Sequence, residues 1–271
     1  MRRLIITLYL VISLAIGSFG IVWSGDFQKG VDAYNNGDYA TALKEWTPLA
    51  DLGNVKAQYN LGLMYDMGKG VLQDYKEAVR WYQLAAEQGY SSAQHNLGLS
   101  YFYGQGVSQD HQEAVKWITL SADQGKAESH KNLGIIYKDG EVVPQDYQSA
   151  AKWFELAAIQ GNITSQINIG FFYYNGQGVP QDYQETVKWM TLASEQGSLQ
   201  AQHNMAYLYY NGQGVNIDKV YAHMWASIAS SQGFENSRGL LESLNKGMTP
   251  SQIQEAQKLA RECIKKNYKE C

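Results

Sequence analysis

Ser149 and Lys152, and again Ser243 and Lys246, stand in the S-x-x-K spacing that lets a lysine amine activate a serine nucleophile. Acyl transfer of that kind needs companion groups, and no S-D-N or K-T-G triplet accompanies either pair. Lys152 also recurs at a fixed interval as Arg80, Lys116 and Lys188, which marks a basic position in a repeating unit. The stretch NGQGVPQDYQE, 175–185, places glycines before a helix start as a phosphate loop would, but it lacks a third glycine and a preceding strand. Asp182 at that helix start would repel an anion. The five histidines, His95, His111, His130, His203 and His223, contain no pair at metal-ligand spacing. His95 and His203 share a repeat position but lie three units apart, too far to share a ligand at about 8–10 Å per packed helix layer. The expectation is a chain with no catalytic constellation, no metal and no cofactor.

The N-terminus predicts export. Arg2 and Arg3 precede the uncharged run LIITLYLVISLAIGSFGIVW, and Ser18 and Gly20 are the small residues that suit cleavage before Ile21. Residues 1–20 therefore read as a secretory signal peptide, with an uncleaved anchor reaching to about residue 23 as the alternative. Both place the remainder outside the cytoplasm, periplasmic or secreted in the first case and anchored facing the periplasm in the second. Loss of Arg2 and Arg3 turns 22 basic residues into 20 against 26 acidic ones, a net charge of −6 that disfavours a nucleic-acid partner. Cys263 and Cys271 are the two cysteines, and in an oxidising compartment a local bridge between them is expected.

Behind all of these residues lies a period. From Asn54 the chain restarts a 36-residue frame at 90, 126, 162 and 198, so five units tile 54–233. In the first unit Ala57, Leu61 and Tyr65 line one face of a helix A, with Gly62 beside them allowing a neighbour to approach. Asp74 and Glu77 then read as a capping box opening a helix B whose apolar set is Ala78, Trp81, Tyr82 and Ala85. Asp110 with Glu113 and Asp182 with Glu185 repeat that pattern. Gly89, Gly125, Gly161, Gly197 and Gly233 stand where a left-handed residue ends helix B. An atypical first unit, 27–53, carries Pro48 inside its second helix, where a kink is expected. Residues 234–271 supply a capping helix and tail, opened by Thr249, Pro250 and Gln252. The fold class follows: all-α, an α/α superhelical solenoid of two-helix repeats with capping helices at both ends. Trp81, Trp117, Trp153, Trp189 and Trp225 share one position and read as interlocking core.

The unit AQYNLGLMYDMGKGVLQDYKEAVRWYQLAAEQG resembles the Sel1-like repeat, a relative of the tetratricopeptide repeats, and the likeness covers about residues 27–264. It rests on Ala57, Leu61, Gly62, Tyr65, Gly68, Gly70, Val71, Asp74, Ala78, Trp81, Ala85, Ala86 and Gly89, recurring in register, with Val142 and Ser149 as mild departures. The resemblance implies a non-catalytic adaptor that binds a protein or peptide, in bacteria often in the envelope or outside the cell and sometimes in contact with host proteins. A cysteine-rich branch of the family is linked to β-lactam binding or hydrolysis; the repeats of this chain hold no cysteine and match that branch poorly.

Five copies in one chain separate fixed positions from variable ones. Counting Asn54 as slot one, slot seven is always Asn and slot twelve always Tyr, which reads as scaffold. Slot six runs Tyr59, His95, Lys131, Ile167, His203; slot ten runs Leu63, Leu99, Ile135, Phe171, Tyr207. Slot thirteen runs Asp66, Phe102, Lys138, Tyr174, Tyr210. Spacings of four and three put these slots on one helical stripe, which in tetratricopeptide-like stacks faces the concave groove. The stripe, aromatic toward its C-terminal end, is the expected partner-binding surface.

Overall fold

The computed structural model describes residues 25–271, in which every regular element is a helix. The signal-peptide reading of residues 1–20 lies outside the described residues. The chain forms two compact units divided between Trp117 and Ile118, inside one helix.

The first unit opens with α1 (Phe27–Asn35) and α2 (Tyr39–Asp51), the atypical pair. Asp26 caps α1 by accepting from the Lys29 N–H, and Glu45 on α2 ties down both the Asp26 N–H at 2.9 Å and the Lys29 ammonium at 2.6 Å. The Trp46 indole donates to the Phe27 carbonyl at 3.2 Å and lies where a β-carbon on Gly30 would stand. Pro48 does not end α2, which runs on to Asp51. Two A helices follow, α3 (Val55–Met67) and α5 (Ser91–Tyr103), with the B helix α4 (Tyr75–Glu87) between them. The division falls within the next B helix, α6 (His111–Ala122).

The second unit holds the A helices α7 (Ala127–Asp139), α9 (Ile163–Asn175) and α11 (Leu199–Asn211) and the B helices α8 (Tyr147–Ile159), α10 (Tyr183–Ser194) and α12 (Lys219–Ser231). The last elements are α13 (Asn236–Lys246) and α14 (Pro250–Lys265). Thr249 and Gln252 form the capping box read from the sequence, Thr249 N–H donating to Gln252 Oε1 at 2.9 Å and Gln252 N–H to Thr249 Oγ1 at 3.3 Å.

The other three capping boxes are corrected to half-boxes. Asp74, Asp110 and Asp182 do accept the backbone N–H groups of the first turn, at 2.8–3.1 Å. Their own N–H groups, however, already donate to the carbonyls of Tyr65, Tyr101 and Tyr173 in helix A. The glutamates are thus left free, and each turns forward to pair with a cation three residues on: Glu77 with Arg80, Glu113 with Lys116, Glu185 with Lys188. The same cations cover the neighbouring indoles, Arg80 at 4.0 Å from Trp81 and Lys188 at 5.1 Å from Trp189. Trp81, Trp189 and Trp225 are buried as expected, whereas Trp117 and Trp153 are half-buried.

Helices A and B meet through a small residue against a large one. A β-carbon on Gly62 would stand 2.5 Å from the Tyr82 ring, and on Gly134 2.6 Å from the Phe154 ring. In the fifth repeat both partners change together, to Ala206 and Ala226. Adjacent repeats meet at the loop glycines: Gly178, at φ +70°, would place a β-carbon 2.0 Å from the Tyr147 carbonyl oxygen, and Gly214 stands likewise over Tyr183. The B-helix end glycines Gly89, Gly125, Gly161, Gly197 and Gly233 all take the left-handed φ expected of them.

Candidate partner-binding surface

The A helices are held at their C-terminal ends by a polar device that repeats. Gln73, Gln109, Gln145 and Gln181 each donate a side-chain amide N–H, at 2.7–2.8 Å, to the carbonyl of Asp66, Phe102, Lys138 and Tyr174 respectively. Those four acceptors are the slot-thirteen residues, so the orphan carbonyls of the helix end are satisfied where the stripe needs a fixed backbone.

Along the stripe in the first unit, the Tyr59 ring packs against Tyr82 and Tyr90 at 6.0 and 5.1 Å. Leu63 lies against the core around Tyr82 and Leu97, Leu99 is half-buried, and Phe102 meets Tyr103 and His111 edge-on. His95 is 7% exposed, so it presents little surface for a partner to touch.

In the second unit Lys131 pairs with Glu128, Lys138 with Asp139 at 3.4 Å, and Ile135 packs on the Phe154 core. Ile167, 8% exposed, belongs to the core with Met190 and Met205. Slot six reaches toward the following repeat: Ile167 shares its core with Ala201 and Met205, Tyr59 meets Tyr90 and His203 meets Phe234, although Tyr59, Lys131 and His203 stay half-buried. His203 is half-buried between Tyr207 and Phe234, its Nδ1 2.9 Å from the Ser237 hydroxyl, and desolvation pushes its pKa down. Tyr210 is half-buried against the last core.

The aromatic end of the stripe closes into a pocket. Phe171 and Tyr174 on α9, Thr186 and Met190 on α10, and Asn204, Tyr207, Leu208 and Asn211 on α11 enclose about 200 Å³. The B helix forms the floor, two A helices the walls. Tyr174 is locked by donating its hydroxyl hydrogen to Gln213 Oε1 at 3.1 Å and by an edge contact with Tyr183. Tyr207, 42% exposed, is the open wall. No lining residue is charged, and the volume suits one ring or one branched aliphatic side chain, since a 150 Å³ apolar cavity accepts benzene.

Sequence reading missed a second polar device. Slot five holds Gln58, Gln94, His130, Gln166 and Gln202, and each lies buried and reaches the carbonyl eight residues earlier: Ala50, Ala86, Ala122, Ala158 and Ser194. The residue before the B-helix end glycine is always Gln. Gln88 donates to Gln58 Oε1 at 2.7 Å, Gln196 to Gln166 Oε1 at 2.8 Å, and Gln160 to His130 Nδ1 at 3.1 Å. His130 must then carry its hydrogen on Nε2, which faces a carbonyl. Each relay joins the end of one B helix to the A helix after it and on to the end of the next B helix. The recurring Gln at both positions was the available signal.

The S-x-x-K pairs do not assemble a nucleophile. Ser149 donates to Asp146 at 2.6 Å and Lys152 lies 5.8 Å from the Trp153 ring, while Ser243 and Lys246 are exposed. Among the described residues no three His, Cys, Asp or Glu side chains gather as metal donors, and no helix is long and apolar enough to cross a membrane. Cys263 and Cys271 are joined in a disulfide.

The Sel1 repeat model matches residues 55–90, 91–126, 127–162, 163–198 and 199–234, about two thirds of the chain. The chain belongs to the Sel1 repeat family. A protective antigen present in uropathogenic Escherichia coli strains, displaying an SLR fold, is similar over 89% of this chain at 32% identity and a TM-score of 0.79. The match spans 53% of that antigen, so this chain corresponds to about half of it. A Sel1 repeat protein from Oxalobacter formigenes is similar over 88% of this chain and 99% of its own, at 30% identity and a TM-score of 0.76. Among curated proteins none matches. The fold is an all-α helical solenoid, and proteins of this family are typically non-catalytic scaffolds that bind other proteins.

Proposed function

We propose that the chain is an exported scaffold whose A-helix face binds a protein or peptide, with the pocket between α9 and α11 as its anchor point. The pocket carries the reading: an uncharged, aromatic-walled space for one side chain, with the exposed Asn211 among its lining residues to meet a polypeptide backbone. Tyr and Phe anchor interfaces at low entropic cost because they have few rotors to immobilise. Export rests on the N-terminal run and is tested separately, by the mass of the mature N-terminus. For the binding surface, the native organism's extract is passed over the wild-type chain and over a variant with Phe171, Tyr174, Tyr207 and Tyr210 changed to Ala. A partner retained by the first and lost by the second supports the reading. Equal retention by a variant with unaltered helical content refutes it.

A further inference from the structure

In the last repeat the relay of glutamines is interrupted. Gln202 reaches the Ser194 carbonyl as its counterparts do, but its buried Oε1 has no partner among the described residues. By the pattern of Gln88 and Gln196, the missing donor is Gln232, thirty residues on. Gln232 donates to the Ile228 carbonyl, as Gln88 and Gln196 do to Leu84 and Leu192, but its Oε1 is in addition held by the Tyr268 hydroxyl, at 3.2 Å.

Tyr268 belongs to a short segment folded back onto the last two repeats. Its ring lies over Gly197, the Glu270 N–H donates to Glu195 Oε1 at 3.4 Å, and Lys269 stands 3.6 Å from the Glu195 carboxylate. Asn267, Tyr268 and Glu270 all take left-handed φ values of 50–64°, a conformation that L side chains rarely adopt and that persists only when the surroundings impose it. The Cys263–Cys271 bond closes this segment, with Cys263 buried at 3% exposure in the last core and Cys271 half-exposed.

We propose that Cys263–Cys271 is a thiol-exchange site, a clamp opened by a dithiol reductant attacking at Cys271. The attacking thiolate bonds to the Cys271 sulfur and the S–S pair leaves as the Cys263 thiolate, which takes a proton. The second thiol of the reductant then displaces Cys271, so the protein gains two thiols and the reductant becomes a disulfide. Once freed, residues 266–271 leave the left-handed region and Tyr268 withdraws from Gln232. With its Oε1 no longer held, the Gln232 carboxamide turns to donate its second amide hydrogen to Gln202 Oε1, keeping the first on the Ile228 carbonyl as its counterparts do, and the relay extends through the fifth repeat. The oxidised chain thus holds its end by the clamp, the reduced chain by the relay. The proposal is independent of what the α9–α11 pocket binds.

The test is amide hydrogen exchange on the full chain before and after dithiothreitol, with reduction checked by counting two titratable thiols, together with the resonance of the Gln232 side-chain amide. Exchange of the amides of 267–271 is expected to rise about tenfold or more on reduction, while α9 to α12 keep their protection. The Gln232 resonance is expected to move on reduction, and to move the same way in oxidised Tyr268→Phe. Oxidised chain in which 267–271 already exchange freely, or reduced chain in which they stay protected, overturns the clamp. An unmoved Gln232 resonance after full reduction overturns the relay switch. Cys271→Ser, which leaves Cys263 in the core, repeats the reduced state without reductant and keeps the test open if reduction perturbs other groups.

Discussion

Gly134→Ala has opposite effects depending on what faces it. Inside α7, replacing Gly by Ala removes backbone entropy from the unfolded chain and is worth about 1 kcal/mol of stabilisation. The added methyl would stand 2.6 Å from a ring that cannot retreat: Phe154 is fully buried and sits edge-on to Phe172, 5.6 Å away. Overpacking of this severity costs about 3 kcal/mol, so the substitution is expected to lose about 2 kcal/mol net. Phe154→Ala alone opens a cavity and costs about 3–5 kcal/mol. In that background the methyl of Gly134→Ala meets empty space, its cost becomes a gain of about 1 kcal/mol, and the coupling is about 3 kcal/mol. The fifth repeat already carries the paired solution, Ala206 with Ala226. The cycle is measured by urea unfolding, with amide exchange of α7 and α8 reading the local free energy apart from fraying of the ends. A cost that is equal in both backgrounds, or a gain in both, would show that the glycine is not set by the ring opposite.

Other perturbations separate neighbouring explanations. Gln166→Leu removes a bond to the Ala158 carbonyl and leaves the Gln196 amide with only its Leu192 carbonyl partner, so it is expected to cost about 1–3 kcal/mol in urea unfolding; Gln202→Leu, whose oxygen is already unpartnered, costs measurably less. Gly178→Ala, at φ +70° with its methyl 2.0 Å from a carbonyl oxygen, loses more than about 2 kcal/mol, whereas Gly161→Ala, at φ +89° in open space, loses about 1 kcal/mol. Burial holds the His203 and His223 pKa values below the ordinary 6.5, so their neutral forms favour the folded state and stability is lost as pH falls below about 6.5. Thermal unfolding between pH 7.5 and 5 is expected to show that loss, and His203→Gln with His223→Gln to flatten it; an unchanged slope counts against the assignment. A Tyr207→Ala single variant is expected to weaken partner binding about tenfold or more in titration calorimetry, with circular dichroism unchanged.

The period and the helix ends were legible because they are written as residue types with local consequences: an Asp at an N-cap, a Gly at φ > 0, an apolar face at steps of three and four. Glu77 shows where local reading stops. Its position satisfies the capping-box pattern, but the Asp74 N–H is taken by the Tyr65 carbonyl, nine residues away along the chain. That contact depends on the loop path and has no signature in the spacing. His95 and Ile167 show the second limit, since a stripe drawn on one helix takes no account of which flank the next repeat covers. The relay was visible as recurring glutamine but not interpretable, because its partners are backbone carbonyls, which every residue type supplies. The pocket needed three helices at once, and the spacing gave its two A-helix walls without the α10 floor.

The loop glycines have a consequence for how such a chain changes length. The contact of Gly178 with the Tyr147 carbonyl joins the loop of one repeat to the B helix of the one before, and Gly214 does the same one step later. Where the glycine is present, the joint has its two halves in successive copies at identical positions in the frame; the third repeat carries Val142 there. An unequal crossover in register between two copies that carry the glycine, placed so that residues such as Gly134 and Ala206 keep their own helix-B partners, recreates these joints while adding or deleting whole repeats. The array can be lengthened or shortened by recombination alone, and its binding face rescaled to a longer or shorter partner with no new contact to invent.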